Sequence, residues 1–114
     1  MLKRIDTIFL PVTNLDRSIE WYAETLGLKL RWISHNYACL NVDQTALTLV
    51  QQNEITAHKH EPFNFYVDDI KAMHAKLSAQ GAAVSELRDH GDVVEFTVTD
   101  PDGNPLGIVW FDEK

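Results

Sequence analysis

Two hydrophobic periods run along this 114-residue chain, and they follow one another in the same order twice. Residues 5–12 alternate like a strand, with Ile8, Leu10 and Val12 on one face and Thr7, Phe9 and Pro11 on the other. Asn14 then offers a side-chain oxygen to an orphan N–H of a first helical turn. Leu15, Ile19, Tyr22 and Leu26 recur at helical spacing, and Gly27 supplies the left-handed stop. Three strands are predicted next, at 29–34, 37–42 and 45–52, joined by turns at His35-Asn36 and Asp43-Gln44. The polar stretch 54–61 carries no period and reads as a linker between modules at 1–53 and 62–114. The second module repeats the plan. A strand is predicted at 62–67, a helix at 70–80 capped by Asp69 and closed by Gly81, and strands at 83–88, 93–99 and 106–111. The turn-rich DPDGN run at 100–104 precedes the last strand. Val67, Asp69, Ile70 and Leu77 stand where Val12, Asn14, Leu15 and Tyr22 stand in the first copy.

The expected fold is therefore α+β, two tandem βαβββ modules forming a curved mixed sheet, a cup, with the helices on its outer face. One sheet face in each module is apolar and meets the helix. The other is mixed, carrying Thr7, Phe9, Tyr37, Cys39, Asn41 and Thr48 in the first half and Asn64, Tyr66, Glu95, Thr97 and Phe111 in the second. A concave wall of aromatic, amide and hydroxyl groups has the make-up of a small-molecule site.

Composition narrows the function. The formal net charge of −7 argues against non-specific binding of nucleic acid. No apolar run reaches the length of a membrane span, and MLKRID lacks the apolar segment of a signal peptide. Cys39 is the single cysteine, which suits a reducing cytoplasm and is expected to be buried packing. Trp21 and Trp110 are expected to pack. His74 is expected on the surface of the second helix, with His35 and His90 in turns and His58 and His60 solvated in the linker.

The Val-x-Asn-Leu-x-x-Ser-x-x-x-Tyr run at 12–22 followed by Leu26-Gly27, the Val67-Asp68-Asp69-Ile70 start of the second helix, and DPDGN are the marks of a resemblance. Together they make the chain similar, over nearly its whole length, to the vicinal oxygen chelate superfamily of glyoxalase I, extradiol dioxygenases and fosfomycin- and bleomycin-resistance proteins. That resemblance implies four places for metal ligands, held here by Thr7, Thr48, Pro62 and Gly107. Zinc, iron or manganese requires imidazole, carboxylate or thiolate, and none of these four supplies one. No metal and no cofactor are expected, and metal-dependent glyoxalase or dioxygenase activity is placed in doubt.

The resemblance then implies a metal-free, homodimeric binding protein of the bleomycin-resistance kind, holding a cationic or aromatic small molecule in the cup. Thr7, Phe9, Trp32, Tyr37, Asn41, Thr48, Asn64, Tyr66, Glu95 and Phe111 are its expected ligand-binding residues. The rings would stack, Asn41 and Asn64 would hydrogen-bond, and Glu95 would anchor charge. Three alternatives remain open: an acid–base enzyme using Glu95 with a raised pKa and Tyr37 or Tyr66 as polariser, a relocated metal site at His60 and Glu95, or a purely structural or partner-binding role.

Overall fold

A computed structural model describes residues 1–56 and 58–113. The chain divides into two compact units, Met1–Thr56 and Ala57–Lys114.

The first unit is built from β1 (Thr7–Val12), α1 (Leu15–Leu26), β2 (Lys29–Ser34), β3 (Tyr37–Val42) and β4 (Thr45–Gln51). Its four strands lie in the order β1-β4-β3-β2, with β1 parallel to β4 and the remaining pairs antiparallel. The helix begins where its sequence says. Asn14 accepts the Arg17 N–H at 3.0 Å, and Gln51 at the end of β4 accepts the Leu15 N–H at 2.7 Å. It ends at Gly27, φ 73°, where the Gly27 and Leu28 N–H groups close on the carbonyls of Ala23 and Tyr22. Leu10, Val12, Leu15, Tyr22, Leu47 and Leu49 form the dry layer between helix and sheet. Ser18 is buried with them, while Ile19 and Leu26 are only half-buried.

The second unit runs β5 (Asn64–Tyr66), α2 (Ile70–Ala79), β6 (Ala83–Val84), β7 (Arg88–Asp89), β8 (Val93–Thr99) and β9 (Pro105–Phe111). Its sheet is ordered β5-β9-β8-β6, with β7 also paired to β8. Asp69 caps α2 by accepting the Ala72 N–H at 3.1 Å. The DPDGN turn is cross-tied by Asp100, which accepts the N–H groups of Asp102 and Asn104 and the Asn104 side-chain amide, all within 2.9 Å. Phe96, Val98, Leu106, Ile108 and Leu77 fill the layer beneath α2.

Two expectations need correction here. The strand predicted at 62–67 is only Asn64–Tyr66; Pro62 lacks an N–H for the ladder. The strand predicted at 83–88 is broken in two. The Ser85 carbonyl, which would continue the run, accepts His74 Nε2–H at 2.8 Å instead, and the Ser85 hydroxyl accepts the Thr97 N–H. His74 is therefore not a solvated helix-surface residue: its ring also meets Phe96 edge-on at 4.8 Å.

Candidate ligand-binding face

In the first unit the sheet face turned away from α1 stays open. Phe9, Trp32 and Tyr37 stand on it 62%, 46% and 42% exposed, around a groove of about 410 Å³. Thr7, Cys39, Ala46 and Thr48 form its floor, and Asp6 and Arg31 complete the lining. The floor residues other than Thr7 are buried, Cys39 among them as expected.

The register explains who reaches this face. Phe9 lies beside Thr48, and Cys39 is opposite Thr48 across β3–β4, so these residues share one side of the sheet. Simple alternation from Lys29 would send Arg31, not Trp32, to that side. The β2–β3 pairing slips by one residue, so that Leu30 faces Leu40 but Trp32 faces Cys39. Arg31 is the extra residue of this β-bulge, a device that re-aims side chains. Arg31 still reaches the same face, because its Nε–H donates to the Asn41 side-chain oxygen. Asn41 thus orients Arg31 through its side-chain oxygen, and Arg31 is a lining residue that the sequence reading missed.

Thr7 and Thr48, from β1 and β4, hold one another: their hydroxyl oxygens are 2.7 Å apart, and Thr7 also donates to the Ala46 carbonyl at 3.2 Å.

On the corresponding face of the second unit the polar side chains are paired with one another. Arg88 donates Nε–H and Nη2–H to the two oxygens of Glu95, each at 2.7 Å, and His90 Nε2 lies 2.9 Å from the same carboxylate. Arg88 Nη2 also donates to the Thr97 hydroxyl, which donates in turn to Glu61 at 2.6 Å. Glu95 therefore does not have a raised pKa. The Arg88 hydrogen bonds hold its carboxyl down to about 2, against the opposing pull of desolvation, with His90 helping. It is neither a poised base nor an unclaimed anchor for a cation.

Tyr66 and Phe111 meet edge-to-face at 5.0 Å, and the Tyr66 hydroxyl is spent on the Phe111 carbonyl at 2.8 Å. Partial desolvation and the carboxylates of Glu113, Asp68 and Asp112 push its pKa up, so the phenol stays protonated as that donor. Gly107 lies between Asn64 on β5 and Thr97 on β8. A Cβ there would come within 2.8 Å of both the Asn64 Cβ and a Glu61 carboxylate oxygen. The Glu61 carboxylate fills the volume that a side chain at 107 would need. It is a second residue that the sequence reading passed over.

The donor set at Thr7, Thr48, Pro62 and Gly107 does not fit a divalent cation. The first two are neutral hydroxyls bonded to each other, and the last two bring no donor atom. Neighbouring Glu61 adds a single carboxylate, already bonded to Thr97. Among the described residues no group of three or more His, Cys, Asp and Glu side chains could share a metal ion. His60 is exposed, and its proposed partner Glu95 is occupied by Arg88 and His90. Trp21 packs edge-on against Tyr22 at 4.8 Å, and Trp110 is half-buried.

Known proteins share this plan. Glutathione transferase FosA of Serratia marcescens is 25% identical over 117 residues, covering 95% of this chain and 81% of that protein. The glyoxalase family protein of Enterococcus faecalis superposes with a TM-score of 0.80 at 23% identity, covering 94% of this chain and 97% of that one. TnmS3, an antibiotic binding protein from Streptomyces sp. CB03234, superposes with a TM-score of 0.81 at 21% identity, covering 97% and 98%. These likenesses carry the fold, and one fold hosts many functions. Residues 4–108 match the family as a whole, and the chain belongs to the Glyoxalase/Bleomycin resistance protein/Dioxygenase superfamily.

Proposed function

We propose that this protein binds a small planar molecule on the open sheet face of its first unit, and that it does so without a metal ion. The observation that carries the reading is the Thr7–Thr48 pair. Two neutral hydroxyls, satisfied by each other, stand at the places from which the first unit would offer metal ligands. Phe9, Trp32 and Tyr37 surround them with half-exposed aromatic carbon. Covering such surface with a flat ligand returns about 25 cal/mol per Å². Well-placed ring contacts add about 0.5–1.5 kcal/mol each. The fold shared with an antibiotic binding protein supports a binding role for this scaffold.

An acid–base enzyme built on Glu95 finds no support, because a general base works best with a pKa near the operating pH and this one is held at about 2. In the proposed reading the working species is a cytoplasmic homodimer. Sedimentation as a 13.0 kDa particle would remove the dimer from it. No helix among the described residues is long and apolar enough to cross a membrane.

Thermal denaturation tests the reading, since a ligand of the native state raises the midpoint by mass action. The probes are naphthalene-2-carboxamide and, separately, zinc, nickel, manganese and ferrous ions. The expected result is a rise with the carboxamide that Trp32→Ala abolishes, and none with any metal. A midpoint raised by one stoichiometric metal, or unmoved by both the carboxamide and the matching naphthalene-2-carboxylate, overturns the proposal.

A further inference from the structure

Arg31 sets the class of molecule that this face takes. Its guanidinium reaches the groove through the β2 bulge, beside three exposed rings, and its one partner among the described residues is the neutral side chain of Asn41. That bond uses Nε–H, so the two terminal nitrogens keep their donors. No carboxylate among the described residues pairs with Arg31. Asp6, the acidic residue of the lining, lies 3.2 Å from Arg4 with most of its side chain in water. The contrast with Arg88 is sharp, since both oxygens of Glu95 are committed there. A guanidinium presents its donors as a planar fork that matches a carboxylate or similar oxyanion, and such charge-assisted bonds are about twice as strong as neutral ones. The net charge of −7 does not reverse this locally, because charges beyond about 8 Å are largely screened at physiological ionic strength.

Resting on the proposal that this face binds planar molecules, we infer that its ligands are aromatic acids: a flat ring against Phe9, Trp32 and Tyr37, carrying an oxyanion that pairs with Arg31 held in place by Asn41. Arg31 selects for charge, and the rings supply the sequence-independent contact area. Asn41 is a positioning residue that acts through Arg31.

The test compares two probes of the same shape, naphthalene-2-carboxylate, ionised at neutral pH, and naphthalene-2-carboxamide, by calorimetric titration at fixed ionic strength. The wild-type protein is expected to bind the carboxylate about five- to tenfold more tightly. In Arg31→Gln the two affinities should fall within about twofold of each other. Asn41→Asp, which places a carboxylate on the guanidinium without touching the rings, should erase the preference in the same way. Arg31→Lys, a point charge without the fork, should keep part of it. A wild-type ratio within twofold, or a preference that survives Arg31→Gln, overturns the inference and leaves the planar-ligand reading standing. Failure of both probes to bind overturns the two together.

Discussion

The two units carry the same repeat and use its second sheet face in opposite ways. In the first, Phe9, Trp32 and Tyr37 stand exposed over a floor whose hydroxyls satisfy each other. In the second, Arg88, Glu95, His90, Thr97 and Glu61 are bonded to one another across the sheet, and Tyr66 is spent on Phe111. A face whose polar groups are already paired has little left to give a ligand. A face with exposed rings and, in Arg31, a cation that pairs with no carboxylate among the described residues has surface and hydrogen-bonding capacity to spare. The repeat thus has one module whose polar groups hold its own structure together and another whose rings and Arg31 stay available.

Six substitutions would break or sharpen this contrast. Gly107→Ala forces a Cβ against Glu61 and Asn64 and should lower stability by about 1–3 kcal/mol in denaturant melts. Adding Glu61→Ala should recover part of that loss, because the two side chains compete for one volume. A destabilisation no different in the double variant would show that the carboxylate does not fill this space.

Trp32→Ala should weaken naphthalene-2-carboxamide at least about tenfold, since the exposed half of its ring is free to meet the ligand. Tyr66→Ala should do the reverse, costing about 1 kcal/mol of stability with binding unchanged. Equal effects of the two on affinity would erase the distinction between the units.

Glu95→Gln should cost about 1 kcal/mol at neutral pH, a modest figure because Arg88 is 42% exposed and the pair is screened by solvent. The pH dependence has a definite sign. Folding lowers the Glu95 pKa from 4.5 to about 2, so its contribution is complete above the unfolded value and is lost as pH falls through that interval. Wild type and Glu95→Gln should differ most at neutral pH and converge toward the acid end. A gap that widens on acidification would contradict the ion pair.

The smallest effect belongs to Thr48→Val. Thr7 keeps the Ala46 carbonyl as a partner, so the cost should stay below about 1 kcal/mol, and the metal response should not change.

Local signals in the sequence were read correctly because their partners are near in the chain. Asn14 and Gly27 bound the first helix, and the Asp100 turn closes on residues two and four positions away. Features that depend on partners across strands were not legible in the same way. The Arg31 bulge requires the register of β3, which no alternation within residues 29–34 reveals. His74 bends the chain at Ser85 through one side-chain bond to a carbonyl eleven residues away. Glu61 sits over Gly107 because two strands meet there, and it lies in a segment that looked like plain linker. Glu95 is different: a turn at 89–92 pairs residue 88 with residue 95, so its ion pair with Arg88 could have been read. Trp32 reached the expected face only because of a slip that was not foreseen.

The crowding at Gly107 also fixes what can stand at that position. A Cβ there meets the Glu61 carboxylate, the movable end of a side chain, and the Asn64 Cβ, which is tied to the backbone of β5. Shortening Glu61 relieves only the first contact, and it gives up the bond from Thr97. A side-chain ligand at this point of β9 is therefore held off by two locks, one that opens with a side chain and one that opens only with a shift of the strand.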